Sequence, residues 1–301
     1  MATEDEGILV VKKGPGLTSH DIVARLRRIF NMRRVGHCGT LDPLATGVLV
    51  VCLGRLTRLN EWIANADKEY LATFCLGANS DTGDANGVIQ PTDAYEPPNF
   101  ERLKSSLQAL TGTYDQVPPV FSAIKVNGVP SYRLARQNKA VPLKARKITI
   151  KEIEPLQYSW PMLRIRVACS KGTYIRSLAM DLGTDLGCGA YVNALHRTRV
   201  GTLDETNAWT LEEIETRVNE ARFDGLFVPP VQCLDNLPHL VLNSLDLKRF
   251  GSGQGVSIAL FDAVKKRQNY AIFDINQCLY GIGCWDLDSA LMKPVKVFHP
   301  A

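Results

Sequence analysis

The succession of apolar and polar positions divides this chain into elements before any chemistry is considered. Gly7-Ile8-Leu9-Val10-Val11-Lys12-Lys13 reads as a first strand, closed by Gly14-Pro15-Gly16. Thr18-Ser19 supply hydroxyls for a helix N-cap, and Asp21 suits the first turn. Ile22, Val23, Leu26, Ile29 and Phe30 then recur at helical spacing and make one apolar face. Val48-Leu49-Val50-Val51-Cys52-Leu53 has the length of a buried strand and is ended by Gly54. Glu61 to Ala66 closes a second helix, and Lys68 to Leu76 alternates like a half-buried strand. Ser80 to Gly87 is polar and glycine-bearing, hence a loop, and Phe100 to Leu110 has helical spacing. Met162 to Cys169 alternates cleanly, and the chain then turns into a helix with Leu178, Leu182 and Leu186 on one side. After Phe227-Val228-Pro229-Pro230 the composition shifts, and from Asp235 onward short strands dominate, at 240–242, 270–273, 278–283 and 295–298.

The totals place these elements in a globular protein. A chain of 301 residues corresponds to roughly two domains. A hydrophobic fraction of 45% supports a sizeable core, and no apolar run approaches a membrane span. The first residues are acidic and lack the basic and apolar regions of a signal peptide, so a cytoplasmic protein is expected. The eight cysteines contain no C-x-x-C pair and the five histidines are scattered, so free, mostly buried thiols are expected and no metal is required. Net charge is only +4, which means that any grip on nucleic acid must come from uneven placement of charge.

Two regions show such unevenness. From Gln116 to Lys151 there is no Asp or Glu, while Lys125, Arg133, Arg136, Lys139, Lys144, Arg146, Lys147 and Lys151 are interleaved with Phe121 and Tyr132. A one-signed block of this length favours contact with a polyanion over a plain solvated face. The first helix carries Arg25, Arg27 and Arg28, followed by Arg33 and Arg34, either as a solvated face or as a surface for phosphates.

The chemistry concentrates in Gly36-His37-Cys38-Gly39-Thr40-Leu41-Asp42-Pro43-Leu44-Ala45-Thr46-Gly47-Val48-Leu49. Asp42 is a lone carboxylate among glycines, and Pro43 disfavours the α conformation for it. A carboxylate is thereby set on a shaped loop at the mouth of a core strand. Taken alone, that description fits an Asx-turn as well as a reactive group. Likewise, Tyr70 at the start of its strand reads as packing, and Leu195 as an ordinary core leucine.

The complete string from Gly36 to Leu49 resembles the signature of the TruB family of tRNA pseudouridine synthases. Four further stretches resemble that family in its own order. Lys13, Gly16, Thr18, Ser19 and His20 match the first motif, with Lys12 and Gly14 standing where the family has an acid and a proline. Lys68-Glu69-Tyr70 resembles the K-x-Y element, and Lys171-Gly172-Thr173-Tyr174-Ile175-Arg176-Ser177-Leu178 together with the segment 187–201 matches the last two. The loop at 80–87 resembles the family's T-D-T-x-D-x-x-G loop and lacks the full spacing of a calcium loop.

The resemblance implies an α+β fold: a mixed central β-sheet catalytic domain of pseudouridine-synthase type over residues 1–232, with an inserted RNA-gripping segment at about 114–151. A small β-rich PUA-like domain would follow at 235–301, either binding RNA or only buttressing the catalytic unit. It implies catalytic roles for Asp42 as nucleophile, Tyr70 stacked on the target base and Arg176 as the cation that keeps Asp42 ionised. Contacts to RNA are expected from His37, Tyr174, Leu195, Lys13, Lys144, Arg146 and Lys147. The implied reaction isomerises the T-loop uridine at position 55 of tRNA, with no cofactor and no metal. The expected partner is the T-arm stem-loop, acted on by a monomer without an obligatory protein partner or membrane. A non-catalytic tRNA chaperone and a guide-RNA-dependent synthase resembling dyskerin are the competing readings.

Overall fold

The computed structural model describes residues 6–92, 96–122, 124–126, 128–135, 137, 142–258 and 268–298. Arg136, Lys139 and His299, and the side chains of Lys125 and Tyr132, lie outside the described residues. The chain opens with β1 (Gly7–Lys13), α1 (Ser19–Ile29), β2 (Val35–His37) and β3 (Thr46–Leu53). α2 (Asn60–Ile63), β4 (Lys68–Leu76), β5 (Ala78–Ser80), β6 (Ile89–Pro91), α3 (Phe100–Ala109) and β7 (Gly112–Gln116) follow. The insertion holds β8 (Lys125–Val126), β9 (Val129–Pro130) and α4 (Ser131–Ala135), and returns as β10 (Arg146–Ser159). Next come β11 (Met162–Cys169), α5 (Ile175–Leu186), β12 (Ala190–Val200), β13 (Leu203–Asp204), β14 (Ala208–Trp209), α6 (Leu211–Asn219) and α7 (Pro230–Cys233). The last part is β15 (His239–Val241), α8 (Ser244–Gly251), β16 (Asn269–Phe273), β17 (Leu279–Asp286) and β18 (Leu291–Val297).

The local signals account for most of these boundaries. Thr18 caps α1 in a reciprocal capping box with Asp21, and Ile22, Val23 and Leu26 are the face it buries. β4 buries every second residue from Lys68 to Leu76, as its alternation requires. α2 is shorter than its sequence spacing predicts and ends at Ile63. The carbonyls of Ala64 and Ala66 turn instead to the Lys68 ammonium, each at 2.5 Å. A side chain only two to four residues further on has replaced the last helical turn.

The main sheet has ten strands in the order β14-β1-β3-β12-β4-β11-β10-β7, with β13 added to β12 and β2 to β3. It is mixed: β3 pairs in parallel with β12 and β1 with β14, and the other pairings are antiparallel. β1 and β3 are buried on both faces, which explains their unbroken apolar runs. Leu9, Val11, Leu49 and Val51 join the helices α1 and α5 in one core. Ile8, Val10, Val48 and Val50 join Ala271, Phe273, Leu279 and Ile282 of the second sheet, ordered β15-β16-β17-β18, in another. Polar contacts tie the same two sheets together: Arg55 and Arg58 donate to the Phe298 and Val297 carbonyls, and Lys296 pairs with Glu61 over the Trp62 ring. The small β-rich C-terminal unit is thus packed on the back of the strand that launches the Asp42 loop.

Where β3 leaves that loop, Gly47 has φ +99°, and an added Cβ would stand 2.2 Å from the Arg197 carbonyl oxygen. Neither the backbone angle nor the close approach tolerates a side chain. Gly47→Ala is expected to cost more than about 2 kcal/mol of stability, measured by denaturant unfolding with an unchanged slope.

Candidate active site

Residues of the first motif build the cradle for Asp42. The Ser19 hydroxyl donates to the Leu41 carbonyl and accepts from the Leu41 amide, at 3.1 and 2.8 Å. The Gly16 amide donates to the Pro43 carbonyl at 2.9 Å, and the Ala45 amide to the Asp42 carbonyl at 3.0 Å. Lys13 lies beneath, only 1% exposed, with its ammonium donating to the carbonyls of Gly14, Pro43 and Ala45. Burial pulls its pKa down to about 8, while the Asp42 charge acts in the opposite sense. Lys13 was expected to touch RNA; its ammonium is instead enclosed by loop carbonyls, and the residue is a buried brace. The sequence could not show this, because the loop that covers Lys13 arrives from 30 residues downstream.

Arg176 meets Asp42 from the first turn of α5. Its Nε and Nη2 donate to the two carboxylate oxygens at 2.9 and 3.1 Å, a fork-on-fork pair that orients as well as neutralises. Nη1 donates to the Thr82 carbonyl at 2.9 Å and Nη2 also to that of Phe121 at 3.0 Å. The guanidinium is 5% exposed and the Asp42 side chain 33% exposed, so the cation is fixed inside while the carboxylate keeps an open edge. Asp84 stands behind, with one oxygen 3.8 Å from Arg176 Nε and the other accepting from the Thr82 hydroxyl and the Asn86 amide. The start of α5 is itself anchored by Gln116 at the root of the insertion, whose side-chain amide bonds both the amide and the carbonyl of Tyr174.

A cavity of about 250 Å³ opens at this carboxylate. Asp42, Arg176, Tyr70, Tyr174, Leu195 and Lys68 are among the residues lining it. Tyr70 lies directly across from Arg197 in the β4–β12 register, and burial raises its phenol pKa. Burial likewise raises Tyr174. Arg197 is 1% exposed and donates to the carbonyls of Val48 and Gly39, at 2.7 and 3.1 Å. The Asp42 loop is therefore held by buried cations on two sides, Lys13 from β1 and Arg197 from β12. Lys68, 7% exposed, has its pKa lowered to about 8 by burial and then by the Arg197 charge.

The remaining expected residues lie around this cavity. His37 is half-buried at the end of β2, with its ring edge-on to His20 at 5.4 Å. Its Nδ1 is buried without a hydrogen-bond partner. Burial, with His20 and Arg197 nearby, pushes its pKa down to about 4. Lys144, Arg146 and Lys147 are exposed at the root of β10, outside the cavity wall, with Lys147 opposite Asp115 in the β7–β10 register. Arg146 comes near enough to act on the Tyr174 phenol. Arg197, Lys68 and Asp84 had no assigned role in the sequence reading. A period-two count marks the first two, since Arg197 shares its inward parity with Leu195, and Lys68 with Tyr70. Asp84 offers no such signal.

The fold is shared with solved structures of limited sequence identity. The chain aligns with one from "Crystal Structure of a Cbf5-Nop10-Gar1 Complex" at TM-score 0.78 and 24% identity, covering 99% of this chain and 86% of that one. It aligns with one from "Structure of H/ACA RNP bound to a substrate RNA containing 2'-deoxyuridine" at TM-score 0.74 and 23% identity, covering 97% and 84%. These neighbours define a pseudouridine-synthase fold. Residues 27–175 match the TruB family pseudouridylate synthase N-terminal domain, and residues 176–231 the tRNA pseudouridylate synthase B C-terminal domain. A curated relative from Syntrophotalea carbinolica, "tRNA pseudouridine synthase B", is 43% identical over 247 residues, 82% of this chain and 80% of its own. A relative of the same name from Dehalococcoides mccartyi (strain ATCC BAA-2100 / JCM 16839 / KCTC 5957 / BAV1) is 38% identical over 293 residues, 97% of this chain and 96% of its own. The chain belongs to the TruB family of pseudouridylate synthases.

The state of His37 can be read from a pH titration. Its pKa is lower in the fold, about 4, than the ordinary 6.5 of the unfolded chain. Between those values the unfolded state binds the extra proton, so this residue makes stability rise with pH across that window. The stability of the native protein minus that of His37→Gln should therefore grow from pH 4 to pH 6.5 and level off above it. A flat difference, or an imidazole NMR titration centred near 6.5, would contradict a buried neutral ring.

Proposed function

We propose that this TruB-family enzyme is a tRNA pseudouridine synthase that isomerises the T-loop uridine at position 55, with Asp42 as its nucleophile. The observation that carries the reading is the Arg176 fork on Asp42, at 2.9 and 3.1 Å, at the wall of a cavity that leaves the carboxylate an open edge. A carboxylate held at both oxygens by a permanent cation is fixed in its aim, as a nucleophile must be. In the reaction the bond from ribose C1′ to uracil N1 breaks, the uracil turns, and C1′ bonds to C5. The C5 proton is lost to solvent and N1 gains a proton, so the overall change is an isomerisation without redox cofactor or metal.

A base in a folded loop must be extruded, at a cost of a few kcal/mol. Stacking on an aromatic ring returns about 1–3 kcal/mol, which suits Tyr70 on one side of the base with Leu195 on the other. Tyr174 closes the cavity, and His37, neutral at physiological pH, enters the RNA where the base has left. Residues 1–232 form the catalytic unit and 235–301 a PUA-like domain for the RNA body. The built-in basic insertion, with Lys144, Arg146 and Lys147 at its exit, grips the stem of the T arm. That grip favours a stand-alone enzyme over one that needs a guide RNA, and the enzyme is read as a cytoplasmic monomer. It does not favour a mere chaperone, for which an oriented carboxylate has no use.

Asp42→Asn should abolish tritium release from 5-tritiated uridine in a T-arm hairpin while leaving affinity for that hairpin within about tenfold. Normal turnover by this variant would remove Asp42 from the chemistry. Neutralising Lys144, Arg146 and Lys147 together should flatten the dependence of hairpin binding on salt by about two contacts' worth of slope. An unchanged slope would place the stem elsewhere.

A further inference from the structure

The arginines of α1 and of the turn after it are not used by the site described above, and they fall into two groups. Arg25 and Arg27 are occupied: Arg25 pairs with Glu212 at 3.8 Å, and Arg27 donates to the Val35 carbonyl at 3.2 Å. Arg28, Arg33 and Arg34 are exposed, and among the described residues none of their guanidiniums has an ion-pair or hydrogen-bond partner. Of the acids on the α6 side, Glu212 is engaged by Arg25, Glu213 by the Thr210 amide and Glu220 by Arg222. Three uncompensated cations thus sit together at one corner of a protein with a net charge of only +4.

The corner is rigid. Asn31 takes the left-handed conformation, φ 46°, which ends α1, and the Met32 amide donates back to the Arg27 carbonyl at 2.9 Å. The Gly54 amide then fastens the turn by donating to the Arg34 carbonyl at 2.8 Å. The three arginines are therefore presented on a fixed backbone, which lowers the ordering cost of binding.

Their place relative to the site indicates what they meet. β2 runs from this turn to His37, and Arg34 lies three residues before His37, about 10 Å along an extended strand. The insertion and the Lys144–Lys147 cluster lie on the other side of the cavity, since β10 and β7 end the sheet order that places β2 beside β3. RNA that engages His37 would have to continue for roughly three nucleotides of one strand, about 10 Å, to reach the turn.

We propose that Arg28, Arg33 and Arg34 form a second RNA-binding surface that takes backbone phosphates of the tRNA lying outside the T-arm hairpin. The proposal rests on the tRNA synthase reading and adds the part of the substrate that a hairpin lacks. Arginine forks on phosphates supply affinity and register without reading sequence.

The experiment compares the native protein with the triple variant Arg28→Gln, Arg33→Gln, Arg34→Gln on two RNAs, a full tRNA transcript and its T-arm hairpin. For the transcript, the slope of log affinity against log salt should fall by about two to three, with binding weakened about tenfold or more at low salt. For the hairpin, affinity, slope and tritium release should match the native protein. A triple Arg→Lys variant should keep the native slope on the transcript. An unchanged slope on the transcript, an equal loss on both RNAs, or a loss in the lysine variant as large as in the glutamine variant would each overturn the proposal. Failure of the native protein to release tritium from either RNA would instead sink the functional reading on which it rests.

Discussion

The site depends on positive charge kept inside the protein. Asp42 is held at both oxygens by Arg176, and the loop that carries it is braced by Lys13 and Arg197 through backbone carbonyls. Buried cations without a carboxylate each are costly, and the cost is met here by hydrogen bonds to loop carbonyls that would otherwise also be unsatisfied. Lys13, Lys68, Arg176 and Arg197 gather around Asp42 and Asp84, while Asp21 and Asp67 act on Lys13 and Lys68 from further out.

The braces come from distant parts of the chain, which ties the reaction centre to the fold. Lys13 is on β1, Arg197 on β12 and Arg176 on α5, and the root of the insertion reaches Arg176 through the Phe121 carbonyl. Gln116 fixes the start of α5 from the same root. The root of the insertion and the guanidinium that orients Asp42 therefore share one hydrogen-bonded frame.

Much of this was legible from the residues, and what was not has definite causes. The strand and helix patterns of β1, α1, β3, β4 and β11 follow directly from apolar spacing, because each buries a face or both faces of regular structure. Asp42 and Arg176 were picked out by the resemblance of their stretches to the family's motifs, since Asp42 taken alone fits an Asx-turn as well. The enclosure of Lys13 was not legible, because the loop that covers it comes from 30 residues downstream. Arg197, Lys68 and Asp84 escaped because a polar residue at an inward position is normally the weaker inference. The end of α2 escaped for a related reason, since Lys68 takes the carbonyls that another helical turn would have used.

The shared core between the first strands and the last sheet has a consequence for how the protein comes into being. Ile8 and Val10 are packed with Ala271, Phe273 and Ile282, residues more than 250 positions later. Contacts of such sequence separation form late, after much loop-closure entropy has been spent. On the ribosome, β1 and β3 leave the exit tunnel long before the surface that covers their back face exists. The part of that apolar face that the last sheet covers is therefore completed only after that sheet has been made.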